Sequence, residues 1–189
     1  LTFHTNGDLG IDQALLDVLD RRQVRITAFI VGNWLDAHPE WAKKLVGAGH
    51  ELANHTYTHP TFANLSRAAM SGEVERCRDT LARLTGGGGS FFRPSGTDDG
   101  THAPPAVVQE VAAEAGYPMV LGFDVDPLDY QDPGAAAVAA RTLAAVTAGS
   151  IVSLHFGHAG TVAAVPTVLD GLAARGLTPV TASQLFGWA

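Results

Sequence analysis

Short apolar runs that read as strands alternate with helical patterns along the whole chain, and this alternation restricts the fold more than any other feature. The strand-like runs cover residues 1–4, 26–31, 50–54, 91–93, 119–123, 151–155 and 177–180. Helical stretches fall between them, near 12–22, 38–47, 66–84, 104–115, 135–148 and 162–175, and a short one near 182–187 closes the chain. Such alternation implies parallel strands with helices outside them. Seven units fit either an open doubly wound sheet or a barrel.

Local chemistry supports the boundaries. Asp12 is placed to cap the first helix, with Ile11 and Leu16 as a hydrophobic staple. Pro104 stands where a first helical turn tolerates proline. Gly116, Gly149 and Gly176 follow Ala/Arg-rich helical runs, as C-terminal caps do. Val74, Cys77, Leu81 and Leu84 form one buried helical face, which makes the single cysteine a core residue. The 86–89 glycine run follows a helix, so it reads as a connection and not as a phosphate loop. No linker divides residues 1–189, which reads as one domain.

Composition removes several functions. The net charge is −7 and no Lys/Arg-rich run occurs, which argues against a nucleic-acid groove or an anionic membrane partner. A neutral or cationic substrate suits that charge better. No apolar run reaches transmembrane length. One cysteine excludes an intrachain disulfide, and the chain opens directly in a strand-like segment, so further residues are expected upstream of Leu1.

The unusual polar residues gather at the ends of the strand-like runs. His4 ends the first, and His55 and His59 follow the third. Arg93 ends the fourth, Asp124, Asp126 and Asp129 follow the fifth, and His155 ends the sixth. In parallel α/β folds those ends share one rim, where active sites are built. On a helical turn, His55 and His59 would share a face and grip one cation, with zinc the first choice and cobalt or nickel also fitting. Arg93 ends an apolar strand and needs a carboxylate partner if buried, with Asp126 and Asp129 as candidates. His155 suits general acid work, since an imidazole needs no large pKa shift. His38, His102 and His158 read as solvated, and His50 as structural.

These residues carry a resemblance that spans nearly the whole chain. The chain resembles the NodB-homology polysaccharide deacetylases, carbohydrate esterases that remove acetyl groups from glycans. His55-Thr-Tyr-Thr-His59-Pro resembles the family's H-[ST]-x-x-H metal motif, and Phe92-Arg93-Pro94 the start of R-x-P-Y. Asp126-Pro-Leu-Asp129-Tyr130 looks like D-x-x-D-W, and Leu154-His155 like the final L-x-H. Thr2-Phe3 matches the opening of T-F-D-D-G. The resemblance implies a distorted (β/α) barrel with about seven parallel strands.

It also implies roles. His155 would be the general acid, and Arg93 and Asp126 would orient and tune the base. Leu154 would line an acetyl pocket, and Ser95 or Gly96 would offer an oxyanion amide. Apart from the resemblance, Tyr130, Trp34 and Trp41 offer sugar-stacking faces to a glycan-binding chain, although lone aromatics more often pack. The implied partner is an acetylated glycan of chitooligosaccharide, peptidoglycan or xylan type, met outside the cell or at its wall.

The departure lies in the first motif. The family places a base and then a metal ligand, both acidic, after Thr-Phe, and this chain has His4-Thr5 there. Two rescues are open. His4 acts as base or third ligand, or Asp8 supplies the missing carboxylate beside His55 and His59. Loss of both acidic residues also fits a non-catalytic descendant that binds carbohydrate or serves a structural role.

Overall fold

The computed structural model describes residues 1–96 and 103–188. His102 lies outside the described residues. The described chain contains six strands, with helices between them, and forms two compact units.

The first unit joins Leu1–Thr27 to Phe123–Ala189. Its strands are β1 (Thr2–His4) and β6 (Ser153–His155), which pair in parallel with Thr2 opposite Ser153, Phe3 opposite Leu154 and His4 opposite His155. Helices α1 (Leu9–Arg21), α6 (Ala135–Ala145), α7 (Ala159–Ala174) and α8 (Ala182–Phe186) belong to the same unit. Helix α7 packs on both α1 and α6. Phe3, Leu15, Leu19, Leu154, Phe156 and Val165 are buried, at about 1.5–3 kcal/mol for each large apolar side chain.

Asp8, and not Asp12, caps α1. Its Oδ1 accepts from the amides of Gly10 at 2.9 Å and Ile11 at 3.1 Å. The helix thus starts four residues earlier than position 13, and Asp12 falls inside it. The expected seventh strand, 177–180, is irregular. Pro179 has no amide hydrogen to place in a ladder there.

The loops after β1 and β6 touch backbone to backbone. A Cβ added to Gly157 would sit 2.7 Å from the Gly7 Cα, and Gly157 has φ +79°. Gly157→Ala is therefore expected to cost about 2–4 kcal/mol, from strain and overpacking together. Urea denaturation measures it, and an unchanged midpoint would contradict the close approach.

The second unit, Ala28–Gly122, contains β3 (Glu51–Asn54), β4 (Phe91–Phe92) and β5 (Met119–Val120), with most of β2 (Thr27–Ile30). Its strands follow the order β5-β4-β3-β2, with Asn54 opposite Phe92 and Phe91 opposite Met119. Helix α4 (Arg67–Thr85) packs on α5 (Ala106–Glu114) and β3. Cys77 on α4 is fully buried, its thiol donates to the Ile30 carbonyl at 3.3 Å, and burial pushes its pKa up to about 12. It is a core residue, as its helical spacing indicates.

The single helix expected near 38–47 is two helices, α2 (Gly32–Ala37) and α3 (Glu40–Gly47). Pro39 separates them by forcing His38 out of helical geometry, to φ −133° and ψ 59°. Trp34 and Trp41 lie on these helices with ring centroids 5.5 Å apart. Both are buried, so they are packing residues and not sugar-stacking faces. No helix among the described residues is long and apolar enough to cross a membrane.

Candidate active site

In the first unit the parallel register of β1 and β6 brings two imidazoles together. His4 Nδ1 lies 2.9 Å from His155 Nε2. The other nitrogen of His155, Nδ1, donates to Asp129 Oδ1 at 2.7 Å. Asp129 Oδ2 accepts from the His155 amide at 2.8 Å and from the Thr161 hydroxyl at 2.7 Å. Asp129 is 1% exposed, so its ionised form depends on these three donors.

The geometry determines where protons sit. The carboxylate requires a hydrogen on His155 Nδ1. Neutral His155 then has a lone pair at Nε2, and His4 donates its Nδ1 hydrogen to it. The space between the rings then already holds one hydrogen, so a further proton enters on His4, and the inter-ring hydrogen can pass to His155 Nε2. Asp129, His155 and His4 thus form a continuous hydrogen-bonded chain that can hold and release a proton.

Other groups surround this chain. Tyr130 presents its ring edge-on to His155 at 5.2 Å and is 44% exposed. His158, expected to be solvated, donates from Nδ1 to Asp132 Oδ1 at 2.9 Å. Asp126 Oδ1 accepts from the Leu128 amide at 2.8 Å, in a turn that puts Leu128 at φ +56°. Burial raises the Asp126 pKa, opposed by that hydrogen bond and by His155. Leu154 is buried beside Phe3 in the strand pair. Asp8 is committed to capping α1, with its carboxylate on an exposed turn.

The second unit holds the other histidines. His55 and His59 sit on a loop after β3, not on a helical turn, because Thr56 and His59 have φ +69° and +59°. The loop is braced from two sides. Asn54 Oδ1 accepts from the Thr56 amide, and the Glu73 carboxylate accepts from the Tyr57 and Thr58 amides. The two rings still meet, with centroids 4.9 Å apart. His55 Nδ1 donates to the Arg93 carbonyl at 2.9 Å, which makes Nε2 the lone-pair nitrogen of the neutral ring. That carbonyl contact is the usual support behind a metal-binding imidazole.

The pair therefore fits part of a divalent cation site. Among the described residues no group of three His, Cys, Asp or Glu side chains is disposed to hold a metal. The Asp8 carboxylate, expected as a third donor, accepts from the amides at the start of α1.

Arg93 is 1% exposed and lies over the Phe29 ring, 3.9 Å from its centroid. Its Nε donates to the Leu121 carbonyl at 2.8 Å and its Nη2 to the Gly122 carbonyl at 2.9 Å. Burial pulls its pKa down to about 9, which keeps it charged at neutral pH. Ser95 is buried, and its hydroxyl donates to the Pro60 carbonyl while accepting from Thr56. Its side chain is a brace for the His55–His59 loop.

Residues 1–120 match the family model for polysaccharide deacetylases. The chain belongs to that family. It is 29% identical to the Listeria monocytogenes peptidoglycan-N-acetylglucosamine deacetylase PgdA, across 99% of this chain but 38% of that protein. This chain thus spans well under half the length of that relative. It is 31% identical to a Bradyrhizobium chitooligosaccharide deacetylase, across 84% of this chain and 70% of that one. The structure of the Bc1960 peptidoglycan N-acetylglucosamine deacetylase matches with TM-score 0.89 at 25% identity, covering all of this chain and 87% of that one. The fold is the polysaccharide deacetylase (β/α) barrel, distorted, with six strands described where seven were expected. Polysaccharide deacetylases of this kind generally depend on a divalent metal.

Sequence reasoning placed Asp129 in a motif and offered it to Arg93, but did not assign it to His155. The side chain is in fact the only carboxylate bonded to that imidazole among the described residues. Its place in the D-x-x-D segment was the available signal.

Proposed function

We propose that this chain is a metal-dependent hydrolase that removes acetyl groups from a glycan of chitooligosaccharide, peptidoglycan or xylan type, outside the cell or at its wall. The observation that carries the reading is the Asp129–His155–His4 chain. Deacetylation expels an amine or alkoxide, and the leaving atom must gain a proton. The His155–His4 pair supplies it, with Asp129 holding the His155 ring and stabilising its cationic form. His4 stands where the family has its base and exchanges protons with His155 through their shared hydrogen bond. Tyr130 offers an exposed ring beside the acid for the sugar face.

His55 and His59 would hold a divalent cation, zinc first and cobalt or nickel next, whose chemistry when bound is to polarise an acetyl carbonyl. Their loop is held rigidly by Glu73 and Asn54, which limits the entropy lost when the rings engage a ligand.

One observation favours a second reading, a catalytically impaired homologue that binds carbohydrate or has a structural role. The family's acidic pair is His4-Thr5 here, and no three-donor group stands among the described residues. Acetate release from the three acetylated glycans, with added zinc or cobalt, separates the two readings. The hydrolase releases acetate and binds metal, and His55→Ala loses the metal in elemental analysis. Calorimetric glycan binding without any acetate release would instead establish the second reading.

A further inference from the structure

Asp12 is a carboxylate in an unexpected place. It lies on α1 one turn before Leu15 and Leu16 and two turns before Leu19, on the face that the helix buries, and it is 0% exposed. Its Oδ1 accepts from the Gly157 amide at 2.7 Å. Its Oδ2 is buried with no hydrogen-bond partner. An unpartnered buried carboxylate oxygen is costly, and an asparagine oxygen would accept the same amide without a buried charge.

The group it holds is the segment that carries the acid. Gly157 is two residues after His155 and one before His158. Three ties join this segment to residues 4–12. The Phe156 amide donates to the His4 carbonyl at 2.9 Å, Gly157 packs on the Gly7 backbone, and Asp12 binds the Gly157 amide. The first two are backbone contacts that many sequences would allow. The third is made by one side chain.

We propose that Asp12 is a positioning residue, whose carboxylate clamps the 155–158 segment so that His155 Nε2 meets His4 Nδ1. The inference rests on reading His155 as the proton donor. A charge-assisted bond holds an amide more tightly than a neutral one. The charged groups that face Asp12 are Asp8, which opposes its ionisation, and His158, which favours it. Burial outweighs both and pushes its pKa up to about 6. The clamp is therefore charged above about pH 6 and weakens as pH falls below it.

The test compares Asp12→Ala and Asp12→Asn with the wild-type chain. Imidazole nitrogen NMR reads the His4–His155 hydrogen bond, and acetate release against pH gives kcat and KM. Asp12→Ala is expected to lose the shared ring signal and about tenfold or more in kcat, with KM within about twofold. Asp12→Asn is expected to keep the ring signal and most of kcat at pH 8, while the fall in kcat below about pH 6 diminishes. An Asp12→Ala chain with lowered Tm but wild-type ring signals and kcat overturns the proposal and leaves Asp12 structural. If Asp12→Ala does not fold, a wild-type pH profile in Asp12→Asn overturns it. A wild-type chain that releases no acetate sinks the functional reading alone, because the ring signals still decide the clamp.

Discussion

Replacing Asp129 by Asn is expected to lower acetate release by about 10²–10⁴-fold, with the far-UV spectrum retained. The carboxylate accepts from three donors, the His155 ring, the His155 amide and the Thr161 hydroxyl. A carboxamide has one oxygen and presents two hydrogens in place of the other. At least one of those donors then faces another donor. The His155 ring loses the charge that stabilises its cationic form and the partner that fixes its tautomer. Stability should fall as well, by about 1–3 kcal/mol, for the unmet donors. Steady-state kinetics at saturating metal give the first effect and urea denaturation the second. Acetate release within tenfold of wild type would show that Asp129 is not what supports the acid.

The largest stability effect is expected at Arg93. Arg93→Met should destabilise the chain by about 3–5 kcal/mol. The substitution keeps a long apolar stem, so it tests the guanidinium and not the volume. It leaves the Leu121 and Gly122 carbonyls without the donors that Nε and Nη2 provide. It also removes the stacked cation over Phe29. Arg93→Lys should recover only part of the loss, because one ammonium cannot reproduce the planar fork that reaches both carbonyls. The denaturation midpoint measures both variants. A methionine variant as stable as wild type would mean that these carbonyls find other donors.

A stability consequence of Asp12 follows from its raised pKa. Its folded value, about 6, exceeds the ordinary 3.8, so folding favours the protonated form. That contribution is fully present below about pH 3.8 and is lost as pH rises through about 6. Relative to Asp12→Asn, the wild-type chain should lose up to about 3 kcal/mol across that window. Thermal unfolding at a series of pH values reads it directly, and parallel curves for the two chains would contradict the buried position.

Much of the fold was legible because its signals are local. Apolar runs, caps and glycines report on neighbouring residues, and six of the seven strand-like runs became strands. The seventh failed at Pro179, whose ring removes a ladder donor, a signal present in the sequence but outweighed by the apolar neighbours. The helix start was misplaced for a related reason. Asp8 and Asp12 both precede leucines, and only the hydrogen bonds to Gly10 and Ile11 distinguish cap from buried residue. Asp12 also shares the buried face of Leu15, Leu16 and Leu19, and that pattern could have flagged it. Spacing alone does not reveal the left-handed φ values that shape the His55–His59 loop.

Residue types and their order along the chain were enough to assign the α/β class and the core role of Cys77, which follow from spacing and chemical type and need no partner distant in the chain. The family was legible as a resemblance of motifs, and the match over residues 1–120 bears it out. Which nitrogen faces which acceptor was decided by tertiary structure alone. His4 and His155 are 151 residues apart, and their rings meet only because β1 and β6 pair in one parallel register. A hydrogen bond depends on tenths of an ångström and on direction, and those quantities exist only once the strands have paired.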